Sequence, residues 1–175
     1  QINDRPSAFR YPRGEGIGVE ILEKPEPWEI GKGKILREGK QVCILSLGTR
    51  LRDSLIASEK LDSYGLSTTV VDARFAKPID ELLITQLARD HEVLVTVEEG
   101  SIGGFSAQVM SFLAKSAALD RDLKFRPLFF PDRFVNHGKP DQQNVECGID
   151  NESIVRTVLG ALGIATPAKF SLERA

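Results

Sequence analysis

The sequence predicts a three-layer α/β domain, with a mainly parallel sheet of about five strands and helices on both faces. Strand and helix patterns alternate along most of the 175 residues, which is the order of linked βαβ units. The run Gln41–Leu47 is almost continuously apolar, as is typical of a strand covered on both faces. Asp80 and Asp150 each precede a helical pattern and can act as N-caps.

The first half of this domain contains three predicted strands separated by a turn and a helix. Leu51–Tyr64 predicts the helix, because Ala57 and Leu61 recur with Tyr64 at helical spacing and Gly65 can end it. The strands are an edge-like Gly31–Arg37 with a turn at Gly39, the Gln41–Leu47 run and the β-branched Thr68–Ala73.

The second half alternates in the same way. Its first helix extends from the Asp80 cap through His91, and its predicted inward stripe consists of Ile79, Leu82, Leu83 and Leu87. Next come a strand Glu92–Glu98, a helix marked by Phe105, Val109, Phe112 and Leu113, and a strand Lys124–Phe130 that ends at Pro131. A short helix from Pro140, closed by Gly148, follows. The last helix is capped by Asp150, and one side of it carries Ile154, Val155, Val158, Leu159 and Leu162.

The start of the chain has a different organisation. A single strand is predicted around Ala8–Tyr11, and because a lone strand cannot bury both faces, we expect it to join a sheet in a preceding domain. Glu23–Pro27 is a charged, proline-rich connector. We therefore predict three segments: 1–24 as the end of a preceding domain plus linker, 25–164 as the α/β domain, and 165–175 as a flexible tail of a chain cut from a longer polypeptide.

Composition narrows the function classes. Lys plus Arg (23) and Asp plus Glu (25) nearly balance, so the net charge of −2 gives no sign of nucleic-acid or membrane binding. The two cysteines, Cys43 and Cys147, have no metal-binding spacing; Cys43 lies in an apolar run and is predicted to be a buried thiol. No signal peptide or membrane-length apolar stretch is visible, and a cytosolic location is expected.

Arg10 and Arg13 flank a tight turn predicted at Pro12 and Gly14. A planar guanidinium at a strand end can bind two phosphate oxygens at once, so this turn is a candidate phosphate site. For a lone arginine, however, a position on a surface loop is the preferred interpretation. The direction of Arg10 stays open, because Pro12 interrupts the strand.

Six blocks of the sequence resemble a known family when taken in order. The chain is similar to the C-terminal end of 1-deoxy-D-xylulose-5-phosphate synthase, a thiamine-diphosphate enzyme of the transketolase superfamily. The blocks are FRYPRGEGIG at 9–18, IGKGKIL at 30–36, VCILSLGTR at 42–50, DARFAKPID at 72–80, VLVTVEEGSIGGF at 93–105 and PDRFVNHG at 131–138.

The resemblance implies a function for the full-length protein. It would condense pyruvate with glyceraldehyde 3-phosphate, releasing CO2, to give 1-deoxy-D-xylulose 5-phosphate for isoprenoid, thiamine and pyridoxal synthesis. Residues 25–164 would be a transketolase C-terminal-like domain and 1–24 the end of a pyrimidine-binding domain. Thiamine diphosphate and Mg²⁺ would be bound outside this chain, which would be inactive alone. A homodimer is implied, in a bacterial cytoplasm or a plastid.

For individual residues the resemblance implies that Arg13 contacts the substrate phosphate. Tyr11 is a weaker candidate for the same site, because packing in the sheet is the preferred interpretation for a strand residue. No residue of this chain is expected to be catalytic or to bind cofactor or metal. Two alternatives stay open: the final domain of a transketolase or of a 2-oxo acid dehydrogenase β subunit, or a non-catalytic α/β docking module.

The loop Gly100–Gly104 lies between a strand and a helix, as phosphate loops do, but it lacks their spacing. We favour the reading that Gly103 and Gly104 permit close packing. Adjacent Glu98 and Glu99 point to opposite faces of a strand, which argues against an acid–base pair. These four residues are predicted at a domain or subunit junction.

The remaining polar candidates are Arg74, Lys77, His91, Arg133 and His137. Arg74 and Lys77 follow a strand and can bind an anion or form ion pairs with Asp72 and Asp80; the ion-pair reading is preferred. His91 at a helix end is predicted to be structural. The roles of Arg133 and His137 in the loop after the last strand stay open.

Overall fold

Strands and helices alternate along the part of the chain that the computed structural model describes, residues 2–12, 18 and 23–165. The elements within these residues are β1 (Lys34–Arg37), β2 (Val42–Leu47), α1 (Leu51–Asp62), β3 (Thr68–Asp72), α2 (Glu81–Asp90), β4 (Val93–Ser101), α3 (Phe105–Lys115), β5 (Lys124–Phe130), α4 (Pro140–Glu146) and α5 (Asn151–Leu162).

The five strands form one sheet in the order β1-β3-β2-β4-β5. β3, β2, β4 and β5 are parallel, and β1 pairs with β3 in the antiparallel sense at the edge. The predicted five-stranded, mainly parallel sheet is therefore confirmed. β2 lies between β3 and β4, so the strand order reverses beside it. In open sheets of this kind, ligands bind outside the carboxyl ends of the strands at such a reversal.

Helices cover both faces of the sheet and produce three layers. Successive residues of β2 alternate between two apolar cores, with Ile44 on one face and Cys43 on the other. The first core is closed by α1 and α5, and the second by α2 and α3. Cys43 is fully buried and free, as predicted.

The predicted helix ends are confirmed by their hydrogen bonds. The Asp80 carboxylate accepts from the Leu83 N–H at 3.1 Å, and that of Asp150 accepts from the Glu152 N–H at 3.3 Å. Gly65 adopts a φ of +73° just after α1, a conformation that glycine reaches without steric cost. Ala57 and Leu61, which mark the predicted stripe of α1, are both fully buried.

Three local predictions were wrong in detail. Leu82 was predicted on the inward stripe of α2 but is 77% exposed. The buried face of this helix consists of Ile84, Leu87 and Ala88. Leu82 lies about 200° from Ile84 around the helix and therefore faces away from the core. β1 begins at Lys34 rather than Gly31. β4 continues past its predicted end at Glu98, because Ser101 still pairs with Phe130 of β5.

Residues 2–12 are exposed and make no ladder pairing with the rest of the described chain. The assignment of Ala8–Tyr11 to a sheet in another domain, and the domain boundaries, stay predictions. Of the predicted tail, residues 166–175 lie outside the described residues. Within the described ranges, no helix combines the length and the apolar character needed to cross a membrane.

Candidate functional site

The carboxyl end of β4 holds a buried carboxylate. Glu98 is 3% exposed, and its side chain accepts hydrogen bonds from the N–H groups of Phe105 at 3.0 Å and Ser106 at 2.8 Å. These are unpaired donors of the first turn of α3, where an anion is also favoured by the helix dipole. Glu98 therefore occupies the position that a phosphate would take in a phosphate-binding loop.

The glycines of the same loop make room for this carboxylate. A Cβ on Gly104 would lie 2.6 Å from Oε2 of Glu98, and one on Gly100 would collide with the same oxygen. Gly103 adopts a φ of +93°, which side chains rarely tolerate. For Gly104, the structure therefore supports the packing interpretation of the loop.

Glu99 points the other way, toward a buried arginine that the sequence analysis missed. Arg50 is 7% exposed; its Nη2 lies 2.9 Å from Oε1 of Glu99 and its Nη1 lies 2.9 Å from Oδ2 of Asp53. The second oxygen of Asp53 accepts from the N–H and the side-chain amide of Asn151, at 3.2 and 3.1 Å. This polar network, Glu99–Arg50–Asp53–Asn151, ties together the ends of β2 and β4 and the starts of α1 and α5.

A signal for Arg50 was present in the sequence. It follows the buried strand β2 by three residues, within the VCILSLGTR block, and so stands at the carboxyl edge of the sheet. Its partner Asp53 is three residues further along, a spacing at which helical side chains meet. The contact to Glu99 depends on the neighbouring strand and is visible only in the fold.

The amino-terminal segment meets this network through Arg10. The Nη2 of Arg10 donates to the main-chain oxygen of Glu99 at 2.9 Å. Tyr11 is 79% exposed and its ring lies 5.8 Å from that of Phe9. Arg13, the leading candidate from the sequence, lies outside the described residues. The structure thus places Arg10 beside Glu99 and leaves the predicted roles of Tyr11 and Arg13 as predictions.

The four residues predicted at a junction have different environments. Glu98 is enclosed within this chain by α3 and the glycines. Glu99 is half-buried, Gly104 is partly covered and Gly103 is exposed. The two carboxylates face different partners, as the strand alternation predicted, and do not form an acid–base pair. Whether a partner covers this edge stays a prediction.

Arg74 connects the linker to the sheet. Its guanidinium lies 4.6 Å from the centre of the Trp28 ring and its Nε lies 3.9 Å from Asp72, so the preferred ion-pair interpretation is confirmed for this residue. Phe75 also packs edge-on against Trp28, with 6.5 Å between ring centres. The stacked cation and the two aromatic rings fasten residue 28 against the loop after β3.

His91 and Arg133 make contacts within the domain. His91 lies 2.7 Å from the Thr69 hydroxyl through Nε2 and 2.9 Å from the Leu87 carbonyl through Nδ1, which agrees with a structural role. Arg133 pairs with Glu146 of α4 at 2.9 Å, and His137 is exposed. Nothing in these contacts indicates proton transfer to a substrate.

A groove of about 720 Å³ lies between α3 and the approach to α2. Lys77 and Lys115 line it together with apolar side chains such as Phe112. Neither lysine has an ion-pair partner among the described residues, and Asp80 pairs with Lys32 instead, so the ion-pair interpretation preferred for Lys77 was wrong. Of the residues predicted at the substrate site or at a junction, Gly103 alone among those that the structure describes borders this groove, so it does not unite them in one pocket.

Comparison with known proteins agrees with this architecture. A family model described as "Transketolase, C-terminal domain" matches residues 31–154. A split-gene transketolase, solved as an inactive β4 tetramer, is 31% identical with a TM-score of 0.70; the match covers 79% of this chain and 45% of that one. The chain thus spans less than half the length of that relative.

A second solved structure, a point mutant of transketolase from Pichia stipitis, shares the fold at greater distance. It is 17% identical with a TM-score of 0.55, and the match covers 76% of this chain and 18% of that one. At this identity the likeness concerns the fold alone.

Proposed function

The chain belongs to the transketolase C-terminal domain family, and on that premise we propose that it is the C-terminal part of a 1-deoxy-D-xylulose-5-phosphate synthase. In this reaction the carboxyl carbon of pyruvate leaves as CO2, and a new carbon–carbon bond joins the remaining two carbons to the aldehyde carbon of glyceraldehyde 3-phosphate. The observation that carries the proposal is the pair of blocks FRYPRG and PDRFVNHG, which accompany the matched domain fold.

Within this chain, Arg13 binds the phosphate of the aldehyde substrate. A guanidinium is always charged and presents parallel N–H donors that match two phosphate oxygens. The exposed Tyr11 nearby in sequence supports a substrate-lining role, because its ring is not committed to the core of this domain. The α/β domain braces the assembly rather than making or breaking bonds.

Thiamine diphosphate and a divalent metal, which transketolase-type enzymes use, belong to other parts of the full-length protein. The residues that the structure describes do not fit that group. They contain no cluster of three metal-ligating side chains, and Glu98 already occupies the helix N-terminus that would suit a phosphate. When bound, the cofactor supplies the carbanion chemistry.

Subunit contacts are part of the proposal. The 31% identical split-gene transketolase is a tetramer in its solved structure, which supports an oligomeric assembly for this protein as well. We assign a homodimer, with accessible Gly103 and half-buried Glu99 at or near its junctions, and a bacterial cytoplasmic or plastid location.

A transketolase is the second candidate, favoured by the 31% identity to the split-gene enzyme. It transfers a two-carbon unit from a ketose rather than from pyruvate. The YPRG and PDRFVNHG blocks favour the synthase, and the donor substrate separates the two.

The phosphate role of Arg13 is tested with Arg13→Ala in the full-length protein. Loss of a charge-assisted, bidentate contact should raise KM for glyceraldehyde 3-phosphate by on the order of 100-fold, with little change for unphosphorylated glyceraldehyde. The KM of Arg13→Lys for glyceraldehyde 3-phosphate should lie between those of the unsubstituted protein and Arg13→Ala, because a lysine keeps the charge but loses the planar fork of donors. Equal losses for both aldehydes in Arg13→Ala would contradict the assignment.

A further inference from the structure

We propose that Arg10 is a positioning residue for Arg13, and that it acts by fastening the preceding chain to the main chain of Glu99. This inference rests on the proposed phosphate role of Arg13. Its starting point is the 2.9 Å hydrogen bond from Nη2 of Arg10 to the Glu99 carbonyl oxygen. The two residues are 89 positions apart in sequence, so the contact joins two separate parts of the chain.

Arg10 attaches residues 2–12 to the α/β domain through a polar contact. Its neighbours Phe9 and Tyr11 are 85% and 79% exposed, and their rings lie together, as residues two apart on an extended chain can. The other side-chain hydrogen bonds within residues 2–12 join Arg5 to Asp4. Among the described residues, no other side-chain hydrogen bond connects this segment to residues 23–165.

The acceptor of this bond is held firmly. The Glu99 side chain lies 2.9 Å from Arg50, and Arg50 is buried and also bound to Asp53. Asp53 is in turn bonded to Asn151 at the start of α5. The carbonyl that receives Arg10 therefore belongs to a strand end fixed to two helices, which makes it a rigid anchor point.

Arg10 is close to Arg13 in sequence. Arg13 follows Arg10 by three positions, and an extended chain of that length spans at most about 11 Å. Pro12, between them, has a fixed φ and removes part of the remaining freedom. A chain that is already placed loses less conformational entropy when it binds a ligand, so the anchor should strengthen phosphate binding without touching the phosphate.

The test compares Arg10→Ala with a matched control in the full-length, cofactor-loaded protein. Arg10→Ala should raise KM for glyceraldehyde 3-phosphate about five- to tenfold, leaving KM for pyruvate and for unphosphorylated glyceraldehyde unchanged. Arg10→Lys should recover most of the loss, since an ammonium can still donate to the carbonyl. Arg5→Ala is the control, because Arg5 contacts its neighbour Asp4 and should have no effect.

A double variant distinguishes positioning from direct binding. If Arg10 acts through Arg13, adding Arg10→Ala to Arg13→Ala should cause no further rise in KM, since coupled residues are not additive. A further rise would overturn the proposal and assign Arg10 to the phosphate itself. An unaltered KM in Arg10→Ala, beside a phosphate-selective loss in Arg13→Ala, would refute the inference alone, whereas a non-selective loss in Arg13→Ala would refute the proposed function.

Discussion

The Glu98 carboxylate lies 2.8 Å from the main-chain nitrogen of Ser106, which follows it by eight positions and belongs to the first turn of α3. A side chain from β4 thus caps the helix that follows it. This capping contact sets the direction of the chain after β4. It explains the glutamate beside the glycine-rich loop by a structural role, so no catalytic role is needed.

Replacing Glu98 should therefore affect stability. Glu98→Ala removes two hydrogen bonds to a helix N-terminus and should lower the free energy of unfolding by about 2 kcal/mol. Glu98→Gln keeps one acceptor oxygen and should cost less. Urea unfolding measures both, with Glu81→Ala on the exposed start of α2 as the control. A loss below about 0.5 kcal/mol in Glu98→Ala would contradict the capping role.

Gly104 should be intolerant of a side chain. A Cβ there meets the buried Glu98 oxygen at 2.6 Å, so Gly104→Ala should destabilise the domain by about 2 kcal/mol through overpacking. Gly160 in α5 is the matched control, because a Cβ there has nothing within 4 Å. Gly160→Ala should stabilise the helix by about 0.5–1 kcal/mol. If both substitutions shift the thermal midpoint in the same direction, the packing account is wrong.

Arg50 should be the most sensitive member of its network. Arg50→Ala leaves the carboxylates of Glu99 and Asp53 without their shared buried cation and should cost about 3 kcal/mol, as breaking a buried ion pair does. Arg52→Ala, on the exposed side of α1, should change stability by less than about 0.5 kcal/mol. Chemical denaturation of the two variants compares them directly. Equal free energies of unfolding for Arg50→Ala and Arg52→Ala would show that the Glu99–Arg50–Asp53–Asn151 network contributes little to stability.

The two thiols should react slowly in the folded protein. Burial raises the pKa of Cys43 well above its ordinary range, and burial together with the Glu146 carboxylate raises the pKa of Cys147. A raised pKa keeps the thiol protonated in the folded protein. The stability that comes from burying the neutral thiol is therefore present at neutral pH and is lost as the pH rises past the ordinary thiol range. Alkylation at pH 8 should label Cys147 slowly and Cys43 only on unfolding. Rapid labelling of Cys43 in the native protein would contradict its burial.

The fold was largely predictable from local patterns, and the site was not. The apolar run of β2, the aspartate caps and Gly65 each report their own surroundings, so sequence alone located those elements. Leu82 was misplaced because one stripe of leucines fits two helix faces equally well until the partner is known. The end of β4 was missed because it depends on pairing with Phe130.

The contacts of the site cross long stretches of sequence. Arg10 meets Glu99 across 89 positions, and Asn151 meets Asp53 across 98. Spacing rules describe neighbours three or four residues apart and carry no signal for such pairs. Arg50 was visible as a charged residue after a buried strand, but its partners could be identified only from the order of the strands.

Donor choice by the full-length, thiamine-loaded protein tests the central claim most directly. With glyceraldehyde 3-phosphate as acceptor, we expect pyruvate to be consumed with release of one CO2 per five-carbon sugar phosphate formed, and xylulose 5-phosphate to be inert as a donor to ribose 5-phosphate. Transfer of a two-carbon unit from the ketose, without CO2 release from pyruvate, would contradict the synthase assignment and establish a transketolase instead.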